Sequence, residues 1–182
     1  MNPAGSKVSD YRYDAFGNRT HETVSGFAPD GSGGFVAVSR STRWQYDGPL
    51  NQLSFIDGPR TDVNDFTSYR YYSDDAAEGN NRARLSQVED ADGVLIRCNI
   101  QYSATGKVLS ESRRNNLTLS YSYDPGNDRL ETLTEHDGIS SRVTHWSYLA
   151  TGEVNTITTG FGTPEATTIT LGYDDARRLT RI

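Results

Sequence analysis

Apolar and polar residues alternate along most of this chain with a period of two, which is typical of β-strands that bury one face. The clearest stretch covers residues 117–123, where apolar side chains at 117, 119, 121 and 123 alternate with Thr and Ser. Asp124-Pro125-Gly126-Asn127 follows, and these residue types favour a chain reversal because they fix φ, tolerate positive φ or hydrogen-bond to the local backbone. Leu130 then begins a second apolar stretch. The pattern therefore predicts a β-hairpin.

The same hairpin pattern recurs along the whole chain, each time around a tyrosine. Successive tyrosines are separated by 33, 25, 31, 21, 25 and 25 residues, so loops of variable length join units of one type. A single hairpin is only marginally stable in water, whereas stacked repeats stabilise one another. Seven hairpin repeats predict about fourteen strands. The predicted structural anchors are Tyr13, Tyr46, Tyr71, Tyr102, Tyr123, Tyr148 and Tyr173.

A turn motif follows most of the anchors and makes the repeat more specific. It reads Asp-x-x-Gly and then Asn, Arg or Lys, as in Asp14-Ala15-Phe16-Gly17-Asn18. The resulting Y-x-Y-D-x-x-G repeat, from residue 9 to residue 182, resembles the YD repeat of Rhs-type proteins, which are bacterial toxin shells related to the teneurin YD modules. The Asp is replaced by Tyr72, Ser103 and Leu149, and the Gly is missing after Tyr173. Such degeneracy favours a structural role for the motif over a catalytic one.

The resemblance implies both a fold and a function. The expected fold class is all-β, with antiparallel β-hairpin repeats in a curled or spiralling sheet. The expected function is that of a structural scaffold, a section of a shell that encapsulates a toxin polypeptide before delivery. Its partners would be the remainder of a larger shell protein and the enclosed toxin. Residues 1–10 carry no visible signal peptide, so secretion is expected through a specialised bacterial route. No protease or toxin residue of the family is recognisable.

The chain is expected to form one β-sheet segment after a short irregular start. Residues 1–10 are expected to be disordered or added for expression, and residues 11–182 to form the YD-repeat segment. Residues 26–34 combine four Gly with a Pro, which predicts a flexible loop. Neither end is expected to be capped. Since exposed strand edges invite pairing, we expect the segment to belong to a larger wall, with edge-to-edge self-association also open to it.

The return strands share a spacing in which two apolar residues lie three positions apart. In a regular strand these two side chains would lie on opposite faces. A β-bulge between them would restore the phase and would curve each unit at the same point. We favour the bulge over a short helix, because the segments are short and rich in Thr, Ser and Asp; partial cover of both faces is the other alternative. The pairs are Leu53/Ile56, Leu85/Val88, Leu130/Leu133, Val154/Ile157 and Leu179/Ile182.

Composition limits the core and argues against several classes of protein. Apolar and aromatic residues make up 34% of the 182 residues, so a thin core is expected. The net charge of −6 provides no attraction to nucleic acid or to an anionic membrane, and no apolar run approaches the length of a transmembrane helix. A single cysteine excludes an intrachain disulfide. Cys98 is in phase with Ile96 and Ile100 in the strongest predicted strand, residues 94–102, so it is expected to pack in the core.

The candidate chemical groups are scattered, so no enzyme, cofactor or metal site is predicted. His21, His136 and His145 share no position in the repeat, which argues against a His-based site. Asp90-Ala91-Asp92-Gly93 resembles the start of a calcium loop, but Gln101 stands where the bidentate Glu should be, so a β-turn is expected. Polar stretches expected to be solvated are Asp74-Asp75 with Glu78, as a loop, and residues 113–116, as a turn.

A second function class remains open from the residues alone. A curved, aromatic-rich sheet could bind carbohydrate or a cell-surface partner, since Tyr and Trp rings suit sugars as well as packing. The exposure of Trp44 and Trp146 distinguishes the two classes. Accessible rings favour recognition, and shielded rings favour the scaffold.

Overall fold

The structure, a computed structural model, describes residues 7–182, and these residues are almost entirely strands and turns. Thirteen strands form one antiparallel sheet whose spatial order follows the chain, and two more form a separate small sheet. The expected all-β, antiparallel class is confirmed, and the large sheet is not closed within the described residues. Two short 3₁₀ helices cover Ala76–Asn81 and Arg114–Asn116. The strands are β1 (Val8–Tyr13), β2 (Arg19–Pro29), β3 (Phe35–Gln45), β4 (Phe55–Asp57), β5 (Thr67–Tyr71), β6 (Leu85–Asp90), β7 (Leu95–Tyr102), β8 (Val108–Arg113), β9 (Thr118–Tyr123), β10 (Leu130–His136), β11 (Ser141–Tyr148), β12 (Val154–Thr159), β13 (Thr167–Thr170), β14 (Gly172–Tyr173) and β15 (Leu179–Arg181).

Contacts between residues divide the chain into two units, Met1–Ile96 and Arg97–Ile182. In the first unit, neighbouring strands pair in succession from β1 with β2 to β5 with β6. In the second unit, pairing runs in the same way from β7 with β8 to β12 with β13, and β14 pairs with β15. Each unit is thus a row of hairpins that contact their chain neighbours, as expected for a repeat protein.

The expected irregular start is shorter than residues 1–10. Residues 8–10 lie in β1 and pair with β2, from Val8 opposite Ser25 to Asp10 opposite Thr23. This part of the expectation was wrong because backbone pairing with β2 needs no apolar side chain, and residues 7–10 contain only one. Residues 1–6 lie outside the described residues.

The first four residues of the loop expected over residues 26–34 belong to strand β2. Gly26 lies opposite Val38, and Pro29 lies opposite Phe35 at the end of β2. The expectation was wrong for residues 26–29 because the neighbouring strand β3, rich in Val and Phe, outweighs the weak strand preference of Gly and Pro. Only residues 30–34 form the connection, in which the Asp30 carboxylate accepts a hydrogen bond from the Gly34 N–H at 2.9 Å.

The core is as thin as the composition predicts. Among the described residues, only four apolar side chains are buried, namely those of Ala83, Val88, Ile100 and Leu119. Many other apolar residues are half-exposed, because a single layer of sheet covers each face only partly. The hairpins therefore depend strongly on hydrogen bonds and on contacts at their ends.

The predicted bulges are present. In six of the seven hairpins, the register shifts by one residue between the anchor tyrosine and the residue before it. The bulge prediction is confirmed for four of the five apolar pairs, since the extra residue lies between the two apolar positions. Around Leu53/Ile56 the short strand β4 shows a regular register with β3. The extra residues are Thr20, Ser86, Leu109, Glu131, Asn155 and Thr180.

A further bulge, which the pattern did not predict, interrupts β7. Cys98 lies opposite Ser112 and Gln101 lies opposite Ser110, so Asn99 and Ile100 together face one residue of β8. Asn99 adopts φ of 53°. The prediction that residues 94–102 alternate in one phase is therefore wrong, because the bulge puts the residues before Asn99 out of phase with Ile100. Ile100 is fully buried, but Cys98 is half-buried opposite a serine instead of packing in the core.

Candidate functional site

The anchor tyrosines lie at the junctions between successive hairpins. Six of the seven are half-buried, whereas Tyr13 is 61% exposed. Five of them donate a hydrogen bond from the hydroxyl group to a backbone carbonyl of the preceding hairpin, at 2.6–3.1 Å. We call these five contacts the tyrosine ladder. They join Tyr46 to Arg19, Tyr71 to Leu53, Tyr123 to Val108, Tyr148 to Leu130, and Tyr173 to Val154.

At four of the five ladder contacts, a bulge explains why the carbonyl needs a side-chain donor. Leu130 opens β10, but the backbone pairing of β10 with β11 begins only at Thr132, beyond the bulge. A carbonyl left without a partner in a partly buried position costs about 1–3 kcal/mol. The Tyr148 hydroxyl reaches the Leu130 carbonyl at 2.7 Å and supplies the missing donor. Phe or Leu at the anchor position has no group that can do this.

Basic side chains stack over two of the ladder rings. The Lys107 ammonium lies 4.8 Å from the centre of the Tyr123 ring, and the Arg129 guanidinium carbon lies 5.3 Å from that of Tyr148. Each cation directly precedes the residue whose carbonyl the same tyrosine binds. Cation–π contacts of this kind contribute about 0.5–1 kcal/mol at exposed sites. The Asn, Arg or Lys position of the repeat therefore belongs to the same junction as the tyrosine.

The motif Asp shapes the turn that follows the anchor. The Asp14 carboxylate accepts hydrogen bonds from the backbone N–H groups of Phe16 and Asn18, both at 2.9 Å. Desolvation acts to raise the pKa of Asp14, but the hydrogen bonds from Asn18 outweigh it and the pKa lies below its ordinary value. At Asp174 the hydrogen bond from the Arg178 N–H lowers the pKa. Both turns are therefore stabilised by an ionised carboxylate.

Two departures from the motif keep the turn by other means. The Ser103 hydroxyl accepts a hydrogen bond from the Lys107 N–H at 3.1 Å, in place of a carboxylate. In the last turn, Arg177 occupies the Gly position with φ of 61°. Its Nε atom lies 3.4 Å from the carboxylate of Glu153, which stands where other junctions carry a cation. At this junction an acidic residue, Glu153, therefore takes the position of Lys107 and Arg129, and the basic residue, Arg177, lies in the turn of the next hairpin.

Sequence reasoning missed the most buried polar group, Glu111 of β8, which is 1% exposed. Its carboxylate accepts hydrogen bonds from Nε of Arg97 at 2.7 Å, from Nε of Arg113 at 2.8 Å and from the Tyr121 hydroxyl at 3.3 Å. Burial acts to raise the pKa of Glu111, but the hydrogen bonds from Arg113 and Arg97 outweigh it, so the pKa is lowered. The only sequence signal was the pair of arginines on neighbouring strands. Their register depends on the bulge at Asn99, which the pattern did not predict.

Hydroxyl groups pair across the strands of the second unit. The oxygen–oxygen distances are 2.6 Å for Ser122 with Thr132, 2.6 Å for Ser147 with Thr156 and 2.9 Å for Thr158 with Thr168. In each pair the two residues stand directly opposite each other in the register. We call these six residues the hydroxyl pairs. They present uncharged polar groups that already have hydrogen-bond partners.

The candidate chemical groups are not brought together. No three His, Cys, Asp or Glu side chains within residues 7–182 are arranged so that they could hold a metal ion. His21 contacts the Thr20 hydroxyl, and His136 contacts the Ser140 carbonyl. His145 stacks on Phe161 with ring centres 4.4 Å apart.

The acidic stretch at residues 90–93 is the predicted β-turn. The Asp90 carboxylate accepts hydrogen bonds from the N–H groups of Asp92 and Val94, at 3.1 and 3.0 Å. The predicted turn at residues 113–116 is confirmed for Arg114–Asn116. Arg113 instead ends β8 and binds Glu111.

The insert with Asp74, Asp75 and Glu78 is more ordered than the expected loop. The Asp75 carboxylate accepts a hydrogen bond from the Ala77 N–H at 2.8 Å and so caps the 3₁₀ helix Ala76–Asn81. Asp74 forms an ion pair with Arg82 at 2.6 Å. Both carboxylates therefore have structural partners in the insert.

The two tryptophans are both half-buried. The guanidinium carbon of Arg19 lies 4.2 Å from the centre of the Trp44 ring and covers one of its faces. Trp146 and Tyr148 line a surface cavity of about 440 Å³ together with Arg129 and Asp124. Aromatic rings can stack on a sugar ring while charged groups bind its hydroxyls. This cavity is therefore the place where the chain could bind carbohydrate.

No family model and no curated protein matches the chain. Among solved structures, the chain is similar to TcdB2–TccC3 without its hypervariable C-terminal region, with a TM-score of 0.72 and 16% identity. It is also similar to a Photorhabdus luminescens Tc holotoxin pore, with a TM-score of 0.72 and 16% identity, and to TcdB2–TccC3 itself, with 0.70 and 15%. The matches cover 96%, 96% and 92% of this chain, but only 9% of each of those chains. They show that this β-hairpin repeat shares its fold with a part of these toxin components.

Helices in the described part of the chain are too short and too polar to cross a membrane.

Proposed function

We propose that this chain is a non-catalytic structural scaffold, a section of a shell that surrounds a toxin polypeptide before delivery. The observation that carries the proposal is the tyrosine ladder, because one contact recurs at five junctions and in both units. Binding and catalytic proteins concentrate their special residues in one pocket, whereas a wall repeats one joint along its length. The resemblance to Rhs-type YD repeats and the shared fold with TcdB2–TccC3 support this proposal.

A wall of this kind must be rigid without a large core. With four buried apolar side chains in the described residues, hydrophobic burial is limited. Each ladder hydrogen bond contributes about 0.5–1.5 kcal/mol. At four of the five junctions it satisfies a carbonyl that a bulge leaves outside the backbone pairing. The cations over Tyr123 and Tyr148 add to the same joints. The repeat therefore places its stabilising contacts between hairpins, where a wall must resist bending and separation.

The hydroxyl pairs suit a surface that holds a polypeptide without binding it tightly. In Ser122 with Thr132 and in Ser147 with Thr156, one hydroxyl donates to the other, so each pair offers a passing peptide one donor instead of two. These residues also carry no charge and little apolar surface. We propose that the face that carries the hydroxyl pairs is the one that contacts enclosed polypeptide. In this proposal the partners are the remainder of a larger shell protein and its toxin, which leave a bacterial cell together.

The proposal is tested by limited proteolysis of the natural polypeptide that contains this sequence. We expect an enclosed toxin segment to survive added protease while the repeat is folded, and to be cleaved after the junctions are weakened by a multiple Tyr→Phe variant. The control is the isolated toxin segment, which should be cleaved at once. Equal cleavage of the segment in the intact and in the weakened polypeptide would contradict the proposal.

Carbohydrate recognition is the second candidate, favoured only by the cavity at Trp146. It predicts that glycans change the Trp146 fluorescence and that Trp146→Phe abolishes the response. Trp44 serves as the control, because Arg19 already covers its ring.

A further inference from the structure

We infer that residues 35–42 of strand β3 are a docking surface for an extended segment of another polypeptide, one that carries apolar and acidic side chains on the same face. The segment would bind by strand addition, which supplies main-chain hydrogen bonds along an open sheet edge. The inference goes beyond the proposed scaffold role and does not depend on it.

β3 extends beyond the strand that pairs with its second side. β2 pairs with β3 along residues 35–43, whereas β4 pairs only with residues 43–45. β3 has no other neighbour among the described strands, so residues 35–42 are open on one side. We call these residues the β3 edge. The hairpins before and after β3 in the sequence are both described, so the open side belongs to one internal hairpin and is not an end of the sheet.

The backbone groups on the open side can accept a further strand. The Asp30 N–H donates to the Gly34 carbonyl at 3.1 Å, and the register of β2 with β3 continues from there without a shift. Since hydrogen-bonded residues alternate in an antiparallel pair, the even-numbered residues of the β3 edge direct their N–H and C=O groups to β2. The odd-numbered residues direct theirs away from β2, as a template for another strand. They are Phe35, Ala37, Ser39 and Ser41, and all are exposed.

A cleft borders the β3 edge within the first unit. It has a volume of about 660 Å³ and lies between residues 37–40 of β3 and residues 59–62 of the loop after β4. Ligand-binding clefts commonly have a volume of this order. Arg60 holds the loop through an ion pair with Asp62 at 2.7 Å and a hydrogen bond from its N–H to the Asp65 carboxylate at 3.0 Å. The loop is therefore fixed by its own contacts and leaves the space beside the β3 edge open.

The side chains at the β3 edge indicate the chemistry of the partner. Val36 and Val38 are 51% and 41% exposed, and they share one face of the strand with the exposed Arg40. Arg40 has no ion-pair partner within residues 7–182. Arg60 and Asp62 neutralise each other, so Arg40 carries the unbalanced charge of the cleft. A partner strand therefore gains most from apolar side chains opposite the two valines and a carboxylate opposite Arg40.

A second copy of the chain does not meet this requirement. The β3 edge itself contains no Asp or Glu. If two such edges paired, both Arg40 side chains would remain without a carboxylate, and like charges close together across strands are destabilising. The occupant that the charges favour is therefore an acidic segment of a different polypeptide.

Amide exchange of the full chain, resolved by nuclear magnetic resonance, tests the inference with the peptide Thr-Glu-Thr-Val-Thr-Val-Thr. Placed antiparallel to β3, this peptide puts its Glu opposite Arg40 and its Val residues opposite Val38 and Val36. Saturating peptide should slow the exchange of the odd-numbered amides of the β3 edge. The even-numbered amides already bind β2 and should not respond.

Fluorescence anisotropy of the labelled peptide measures the role of the charge. Arg40→Gln should weaken binding about five-fold, which corresponds to about 1 kcal/mol for an exposed charge pair. The same substitution should not affect a peptide with Gln in place of Glu. Arg12→Gln is the control variant, because Arg12 is an exposed arginine of β1, on the other side of β2. It should leave binding unchanged.

Several results would overturn the inference. They are absence of binding, equal slowing of odd-numbered and even-numbered amides, and equal affinity of the parent and Arg40→Gln for the Glu peptide. Slower exchange at the β3 edge when the chain alone is concentrated would assign the edge to a second copy instead. Binding to the chain but not to the natural polypeptide that contains it would assign the edge to another part of that polypeptide. None of these measurements depends on an enclosed toxin, so the proposed function is tested separately by proteolysis.

Discussion

Replacing one ladder tyrosine by phenylalanine tests the energetic role of the repeat motif. Tyr71 and Tyr69 lie two residues apart on β5, and both are half-buried. The Tyr71 hydroxyl donates to the Leu53 carbonyl at 2.6 Å. The Tyr69 hydroxyl has no hydrogen-bond partner within residues 7–182. Tyr71→Phe and Tyr69→Phe therefore make the same chemical change on one strand, with and without loss of a ladder contact.

The expected difference follows from the hydrogen bond and from its acceptor. A net intramolecular hydrogen bond contributes about 1 kcal/mol, and a partly buried acceptor left unpaired adds to the loss. We expect Tyr71→Phe to lower the free energy of unfolding by about 1–2 kcal/mol, because the carbonyl of the half-buried Leu53 loses its hydroxyl donor. For a chain of this size, that lowers the melting temperature by about 2–8 °C. Tyr69→Phe should stay within about 0.5 kcal/mol of the parent.

Urea unfolding followed by far-ultraviolet circular dichroism measures both variants against the parent chain. The slope of the free energy against urea concentration should be unchanged, so that the shift in midpoint reports stability alone. If the two variants lost the same free energy, or if neither lost any, the ladder would not stabilise the junctions and our reasoning would be refuted.

Three other predictions follow from the turns and from the buried charge. Glu111→Gln should lower the free energy of unfolding by about 3 kcal/mol, because it leaves two guanidinium groups beside a neutral buried partner. Glu135→Gln removes the carboxylate of the exposed Arg142 ion pair and should cost less than about 1 kcal/mol; urea unfolding measures both. Gly17→Ala should lower the free energy of unfolding by about 1–2 kcal/mol through its φ of 86° alone. Gly152→Ala should cost about 0.5–1 kcal/mol more, because the new Cβ would displace the Arg129 guanidinium from the Tyr148 ring; equal costs in thermal melts would contradict this. The lowered pKa of Glu111 contributes stability that is complete above its unfolded value of 4.5 and is lost as pH falls through the folded value, so acid unfolding should be less steep in Glu111→Gln.

The hairpins and their bulges could be predicted from the sequence because both leave a local periodic signal. The alternation around Tyr123 and the turn at Asp124 lie within a few residues of each other. The spacing of Leu130 and Leu133 contradicts a regular strand, so it indicates the bulge at Glu131 without any knowledge of the partner strand. The anchor tyrosines could be recognised for the same reason, because they recur in each repeat. The groups that their hydroxyls bind could not be predicted.

Features that depend on the register between strands could not be predicted. The acceptor of Tyr71 is a carbonyl 18 residues away in another hairpin, and no local pattern marks it. The bulge at Asn99 is hidden in an alternation that looks unbroken, and it decides that Arg97 reaches Glu111 while Cys98 does not enter the core. In the same way, residues 26–29 become a strand through pairing with β3 and not through their own preferences.

The central claim is that the anchor hydroxyl groups are held by carbonyls of the preceding hairpin. Nuclear magnetic resonance of the tyrosine hydroxyl protons, at a concentration where the chain is monomeric, tests it most directly. We expect slowly exchanging hydroxyl protons at the ladder positions, with Tyr71 and Tyr123 as examples, and fast exchange at Tyr13 and Tyr69. Hydroxyl protons that exchange equally fast at all four positions would contradict the account.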